Sequence, residues 1–565
     1  MGLNLSIAVP LENGEYLSED NMFEVQIFWR WLRKNIHTRD ILILSLLFFG
    51  YSLTRLINLD KFPIFTDEGI YIRWAQVAWK DATFRFISLT DGRQPLQTWG
   101  TIPFLKLFPT NMLFGGRLFS VVSGLGTLVG LLTTMWYLFG KRAAYYTGFL
   151  YVITPYFLFY DRMALVDSAV TAAVVWMFFF SILLARTLRL DIAMILGFIT
   201  GFALLGKSSM RLYAALVVLG SFLVIYPSEI SKVGEFFSRL KGAFFGKTHK
   251  VAQLVNFFIL YGVVIAIALL IYNVQRLSPY LHFVEQKNTT FVLTLPELLA
   301  HPFSQFSSNI INIPYYIFAE MGYVVAIIGV IGFFFMYKKD RTITLYLLSW
   351  ITIVVLMLSF VARVLFPRYV MPLGALLIMP AGYFISEIHN KKYFIGILSA
   401  IFLSVFYFHY TIIFDPAKIP FPQIDRGQYI EDWPAGWGIK EIVDMAREKT
   451  KDKPVYLLTE GDFGMAGDTL RSHIRFGEEI HVKAYWPLSV ANLEENQALL
   501  EDNYVYVVYS HCKEKTYTGG IIRDESCWEF EDTRPVQLIK KYPKPGGNAA
   551  IYLFQLKPAS ENRVK

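Results

Sequence analysis

The stretch FPIFTDEGIYIRWAQ, Phe62–Gln76, closely follows the apolar run ILILSLLFFGYSLTRLINL, Ile41–Leu59. A bilayer core about 30 Å thick needs roughly 20 apolar residues in a helix, so this run predicts a membrane helix. Two adjacent carboxylates, Asp67 and Glu68, therefore come just past the end of the first predicted span. Their position raises the question of which side of the membrane they face and what they do there.

The composition is typical of a polytopic α-helical membrane protein. Of the 565 residues, 54% are hydrophobic and only 17% are charged, and the mean hydropathy is +0.41, whereas soluble domains carry about 25% charged residues. Apolar runs predict about eleven transmembrane helices: Ile41–Leu59, Leu113–Phe139, Ala143–Phe159, Leu165–Leu184, Ile192–Leu205, Leu212–Ile225, Val251–Val274, Tyr315–Met336, Ile343–Val361, Val370–Ile388 and Tyr393–Ile413. Alternatively, the short fifth and sixth helices, separated by GKSSMR, form one broken hairpin, which changes the count by one or two.

Lysine and arginine predict the orientation, because short cytoplasmic loops are enriched in them. With a cytoplasmic N-terminus, every predicted inside segment is basic: Arg30, Arg33, Lys34, Arg39, Lys141, Arg142, Arg186, Arg189, Lys232, Arg239, Lys241, Lys247, Lys250, Lys338, Lys339, Arg341, Lys391 and Lys392. The net charge of +8 therefore mostly reflects the membrane topology. The sequence shows no concentrated basic face with interleaved aromatic residues of the kind that binds nucleic acid. We expect a multi-pass protein of the plasma (inner) membrane whose C-terminal part lies outside.

Three segments are predicted. Residues 1–40 are a cytoplasmic N-terminal segment without a cleavable signal, and residues 41–414 are the membrane domain with long outer loops at 60–112 and 276–314. Residues 415–565 form an outer α/β domain, because PVYLLTE, YVYVVYS and AAIYLFQL resemble strands and GIKEIVDMAREKT resembles an amphipathic helix. Both cysteines, Cys512 and Cys527, lie in it and fit either a disulfide or two reduced thiols.

Helical spacing in the first outer loop predicts a helix along the membrane surface. Its apolar positions are Ile70, Trp74, Val77 and Ala78. Asp67 and Glu68 would occupy the first turn, with Thr66 as the cap. One interpretation is that the carboxylates only complement the helix dipole.

Other polar side chains are predicted at the same membrane face and favour a functional site. Asp161 and Arg162 begin the fourth predicted helix, and Asp167 lies deeper, where a carboxylate costs about 2.5 to 3.5 kcal/mol without a partner. Cations that run against the orientation rule are Arg93, Lys207, Arg211, Arg363 and Arg368. A phosphate attached to a lipid, held beside a carboxylate base, fits this set.

An ordered series of motifs carries a family resemblance over residues 40–410. It consists of the acidic pair, GRQPLQTW at 92–99, RMALVD at 162–167, the lysine turn at Lys207 and RYVMP at 368–372. This series resembles the protein O-mannosyltransferases and the lipid A aminoarabinose transferase, membrane glycosyltransferases of the C-type fold. The resemblance implies transfer of a sugar from a polyprenyl phosphate to a protein, glycan or lipid acceptor, with inversion and without a nucleotide.

The resemblance also implies residue roles. Asp67 resembles the catalytic base, Glu68 its companion acid and Asp167 a second acid, whereas Arg368 resembles a cation that contacts the lipid phosphate. Where some relatives have lysine before the PL turn, this chain has Gln94, so Arg93 is the predicted phosphate ligand. Further candidates around the phosphate are Lys207, Arg211 and Tyr369. No metal ligand or required cofactor is predicted; because related C-type enzymes depend on a divalent ion, a metal near Asp67 and Glu68 is the alternative.

Two other functional classes are also compatible with the sequence. Asp167 and the outer arginines would also suit a transporter or lipid flippase, but the long outer loops and the lack of an evident internal repeat speak against one. An inactive scaffold that presents the outer domain is the third possibility.

Overall fold

The computed structural model describes residues 36–226, 249–510, 535–547 and 549–558. Helices of the N-terminal part are α1 (Thr38–Leu56), α2 (Thr66–Lys80), α3 (Leu96–Leu107), α4 (Met112–Phe139), α5 (Lys141–Ile153), α6 (Pro155–Tyr160), α7 (Asp167–Thr187), α8 (Leu190–Leu204), α9 (Met210–Leu216) and α10 (Gly220–Ile225). Then follow α11 (His249–Tyr272), α12 (His282–Phe291), α13 (Leu295–Ala300), α14 (Phe306–Met321), α15 (Tyr323–Lys339), α16 (Arg341–Val361), α17 (Met371–Glu387) and α18 (Lys391–Phe414).

The chain is a polytopic helical membrane protein, but the count of eleven spans is not confirmed. Within the described ranges, six helices are long and apolar enough to cross a membrane, or seven if the pair α14 and α15 counts as one span. That pair, predicted as one helix, is bent by 114° at Gly322, whose φ of +77° suits glycine. The third predicted helix is likewise divided, because Pro155 starts α6 and lacks the N–H that would continue α5.

Predicted inside loops meet at one end of the helical bundle. Lys141 Nζ lies 2.6 Å from the Asp40 carboxylate, which joins the first residues of α5 to those of α1. At the same end Arg142 donates to the carbonyl of Ile388, beyond α17. At the opposite end Asn58 donates to Ile413, where α18 leads into the C-terminal domain. The relative sides of these loops agree with the charge pattern, and the absolute orientation stays a prediction.

The C-terminal domain is a five-stranded sheet with helices. Its elements are α19 (Gln423–Arg426), α20 (Ile439–Lys449), β1 (Val455–Glu460), α21 (Gly467–Arg471), β2 (Ile480–Tyr485), α22 (Val490–Glu495), β3 (Tyr504–Tyr509), β4 (Val536–Pro543) and β5 (Ala550–Leu556). The strand order is β2-β1-β3-β5-β4, with β1 parallel to β2 and β3, and β5 antiparallel to β3 and β4. The predicted strands β1, β3 and β5 and the helix α20 are confirmed. Cys512 and Cys527 lie outside the described residues.

Helix α2 covers the helical stretch predicted in the first outer loop, and its apolar side is buried within the protein; its placement along the membrane surface stays a prediction. Ile70, Trp74 and Ala78 are 1%, 5% and 0% exposed, because α2 is enclosed between the membrane helices and the C-terminal domain. Its residues Ile72 and Ala78 share one apolar core with the sheet and α20. The C-terminal domain is therefore part of the packing that holds the acidic pair.

The topology has a direct test. In a variant with Cys512 and Cys527 changed to Ser, a cysteine placed at Asp462, close to Glu460, should react with a membrane-impermeant maleimide on intact cells, because we expect that domain outside. The matched variant Lys338→Cys, at a predicted inside loop, should react only after the membrane is opened. Protection of the first position in intact cells would overturn the predicted orientation.

Candidate active site

A cavity of about 1220 Å³ lies where the membrane helices meet the C-terminal domain. Its polar part holds Asp67, Arg93 and Arg368, and its apolar part is lined by residues near the end of α16, such as Val354 and Leu358. Such a mostly apolar cavity with a few convergent charges is the usual form of a small-molecule site. Its walls come from the α1–α2 region, the loop after α12, the end of α16 and the residues after α18.

Asp67 is held between two arginines at the polar end. Arg93 Nη2 lies 2.9 Å from Asp67 Oδ1 and Arg368 Nη2 lies 2.9 Å from Asp67 Oδ2. Arg93 also pairs with Asp91 at 3.0 Å, and Lys287 pairs with Asp91 at 2.9 Å. These five groups form one continuous ionic network, which carries three positive and two negative charges.

The surroundings keep Asp67 ionised. Burial raises the pKa of this carboxyl, but the charges of Arg93 and Arg368 outweigh burial and leave the pKa at about 2. Only 18% of the side chain is exposed, and this part faces the cavity. Asp67 is consequently a carboxylate throughout the physiological pH range, with room beside it for a ligand.

A second ion pair faces the same cavity. Lys207 Nζ lies 2.5 Å from Asp167 Oδ1 and 4.1 Å from the ring centroid of Tyr369. Gln94 donates to the Ser208 hydroxyl at 2.6 Å, which fixes the lysine turn against the PL turn. The structure thus brings the deep carboxylate, the lysine turn and the RYVMP segment together.

Arg211 lies at the edge of the cavity. It donates to the hydroxyl of Tyr272 at 2.9 Å and is exposed. Arg363, in contrast, pairs with Glu297 and does not line the cavity.

Glu68 is placed differently from its neighbour and does not reach the cavity. Its carboxylate is fully buried and accepts a bidentate pair from Arg117 Nε and Nη2 at 2.8 and 2.7 Å. The backbone N–H groups of Ala164 and Phe65 donate to it at 2.7 and 3.0 Å. The N-cap of α2 is thus Phe65 rather than Thr66, with its N–H bound by the carboxylate of Glu68. The enclosed carboxylate leaves no access for a substrate.

The predicted pair Asp161 and Arg162 also lies away from the cavity. Asp161 is buried and accepts from Tyr151 at 3.0 Å and from Ser168 at 3.0 Å, with Arg55 at 3.4 Å. Arg162 donates to backbone carbonyls at the end of α1, including that of Ile57 at 2.8 Å. Both residues hold α1 against the start of α7, which is a structural role.

Sequence reasoning missed two members of the ionic network. Asp91 stands two residues before Arg93, directly before the GRQPLQTW motif. An acidic side chain so close to the predicted phosphate ligand was the signal that would have identified it. Lys287 comes from α12, about 200 residues later, and only the fold brings it there. Across the described ranges, no group of three or more histidine, cysteine or acidic side chains is arranged to hold a metal ion.

Comparisons with known proteins agree with this architecture. Residues 93–249 match the family described as dolichyl-phosphate-mannose-protein mannosyltransferase. No curated protein matches the sequence significantly.

Among solved structures, ArnT from Cupriavidus metallidurans bound to undecaprenyl phosphate is similar, with a TM-score of 0.55 and 14% identity over 91% of this chain and 97% of that chain. Its apo state gives a TM-score of 0.55 and 13% identity over 94% and 98%. The archaeal oligosaccharyltransferase AglB from Archaeoglobus fulgidus gives a TM-score of 0.48 and 12% identity over 85% and 70%. The two ArnT structures confirm the predicted C-type glycosyltransferase fold, and the family match confirms the predicted resemblance to the protein mannosyltransferases over residues 93–249.

Glu68 and Asp67 should respond differently to neutralisation. Glu68→Gln leaves the buried Arg117 charge without its partner, so we expect a loss of about 3 to 5 kcal/mol in the free energy of unfolding. Asp67→Asn should change stability less, because Arg93 retains Asp91 and because Arg368 borders the cavity, where water can approach it, whereas Arg117 is fully enclosed. Thermal midpoints of the two purified variants measure this difference, and equal midpoints would contradict the assignment.

Proposed function

We propose that the protein is an integral membrane glycosyltransferase that moves a sugar from a polyprenyl phosphate to an acceptor hydroxyl on the outer face of the membrane. The observation that carries the proposal is the position of Asp67 between Arg93 and Arg368, at the polar end of a cavity with a long apolar wall. A lipid phosphate needs both features at once. The similar structure that binds undecaprenyl phosphate supports this class of donor.

The apolar wall suits the lipid tail. Val354, Met357, Leu358 and Val361 line the cavity along α16, and Met357 is 45% exposed on the surface that would face lipid. The adjoining residues Val292 and Leu293 also line the cavity. They are joined to the end of α16, because the Leu293 N–H donates to the carbonyl of Val361 at 2.8 Å. A polyprenyl chain would thus enter from the bilayer along α16.

Cations at the polar end suit the phosphate. The ionic network has one excess positive charge, and Lys207 and Arg211 lie on the same cavity. Among the described residues, the buried Nε of Arg368 has no hydrogen-bond partner, and a buried donor without a partner costs about 1 to 3 kcal/mol. A phosphate oxygen would satisfy it and would form a charge-assisted contact.

Asp67 is then positioned to act as general base. The acceptor oxygen attacks the anomeric carbon, the bond from that carbon to the phosphate oxygen breaks, and Asp67 takes the acceptor proton. The arginines stabilise the charge that develops on the leaving phosphate. The same arginines depress the pKa of Asp67. When the donor is bound, part of their hydrogen bonding would shift from Asp67 to the phosphate, so the pKa of Asp67 would rise and Asp67 would become a stronger base.

Neutralising the base should abolish most turnover. Asp67→Asn keeps the size of the side chain and removes its proton-accepting charge, so we expect the transfer rate to fall by about 10²-fold or more. Sugar release from a polyprenyl-phosphate sugar by purified protein is the measurement, and it also separates an enzyme from a transporter or a scaffold. Near wild-type turnover at an unchanged thermal midpoint would remove Asp67 from the mechanism.

Loss of the phosphate cation should act on donor binding. Arg368→Ala removes a buried charge-assisted contact worth about 1.5 to 3 kcal/mol, which corresponds to roughly 10- to 100-fold in affinity. Calorimetric titration of polyprenyl monophosphate into purified protein measures this change. Arg363→Ala is the matched control, since Arg363 is a nearby arginine outside the cavity, and its affinity should equal that of wild type. Equal affinities for both variants would refute the phosphate role of Arg368.

A further inference from the structure

Some of the residues that follow α18 form part of the cavity wall. We call residues 423–434 the rim segment. Gln423, Gln428, Asp432 and Trp433 of this segment line the cavity. None of these four side chains is cationic, so they differ in charge from the other polar lining, which carries the phosphate-binding candidates.

Backbone contacts fix the rim segment next to the base. The carbonyl of Pro434 accepts from the N–H of Thr66 at 3.0 Å and from its hydroxyl at 2.9 Å. Lys544 is buried and donates to the carbonyls of Asp432 and Trp433 at 3.1 and 2.9 Å. Trp433 therefore directly precedes Pro434, whose carbonyl holds the start of α2 beside Asp67.

Two side chains of the rim segment suit contact with a ligand. Trp433 is 40% exposed although it lines a cavity, and a large aromatic ring at such a place is typical of a recognition surface. The amide oxygen of Gln428 is buried and has no hydrogen-bond partner within the described part of the chain. A buried amide oxygen needs a hydrogen-bond donor, and a hydroxyl group of a ligand would supply one.

We infer that the rim segment is the acceptor subsite and that the acceptor it takes is a neutral saccharide. A sugar ring presents a face of C–H groups, which suits the Trp433 indole, and a rim of hydroxyls, which suit the Gln428 amide and the Asp432 carboxylate. Among the side chains of the rim segment that line the cavity, only Asp432 is charged, so this subsite offers no cation to pair with an anionic acceptor. A peptide paired to a strand edge would need β2 or β4, and neither edge strand lines the cavity. This inference rests on the proposed function, because it supplies the hydroxyl that Asp67 would deprotonate.

Binding to immobilised glycans provides the test. Purified full-length protein is applied to an array that carries neutral, acidic and amino saccharides together with serine- and threonine-containing peptides. We expect binding to neutral saccharides, and we expect Trp433→Ala to weaken it by about 10-fold or more while the affinity for polyprenyl monophosphate stays unchanged. Trp433→Phe, which keeps an aromatic ring, should retain most of the affinity.

Trp486→Ala is the matched control, since Trp486 is 74% exposed and lies outside the cavity lining. It should bind glycans as wild type does. Binding to peptides or acidic glycans instead, or equal loss in the two alanine variants, would overturn the inference. If neutral saccharides bind through Trp433 but wild-type protein never releases sugar from the donor, the proposed function fails while the saccharide site stands. If Asp67-dependent release occurs without saccharide binding, only the acceptor assignment fails.

Discussion

The buried ion pair of Glu68 and Arg117 holds the start of α2 in a single position. Burial of two charges is unfavourable unless every hydrogen-bonding group is satisfied, and this requirement is met closely here. Arg117 uses all of its N–H directions, donating to Glu68 and to the carbonyls of Leu59, Phe62 and Pro63. The turn between α1 and α2 is thereby tied to the membrane helix α4, and the rest of the site is built around it.

The second support comes from the C-terminal domain. Pro434 accepts from Thr66, and Ser472 donates to the carbonyl of Gly69 at 3.0 Å. Close packing at Gly69 explains the glycine, because a Cβ there would lie 2.7 Å from Thr469. The small α/β domain therefore helps to hold α2 in place, because α2 packs against this domain as well as against the membrane helices. A donor from the bilayer and an acceptor from water would meet at the junction of the two parts.

Adjacent acids acquire opposite roles from this arrangement. Successive helical residues point about 100° apart, so Asp67 faces the cavity when Glu68 faces Arg117. Glu68 is neutralised by one arginine that is buried with it, whereas Asp67 shares two arginines with the space a ligand would occupy. Glu68, held in place by Arg117, thus fixes the direction in which the Asp67 side chain points.

By itself the sequence determined the membrane class, the α/β nature of the C-terminal domain and most of the polar groups of the cavity. Composition and hydrophobic periodicity are local properties, and the ordered motifs placed Asp67, Arg93 and Arg368 among the candidates. Only the tertiary structure decided which acid faces the cavity, that Asp161 is a buried structural group and that Lys287 joins the network. Those outcomes depend on contacts between residues far apart in the chain, such as Asp67 with Arg368. The packing of the whole fold sets how a helix is rotated about its axis and so which side chains face such partners. No local sequence pattern determines this rotation.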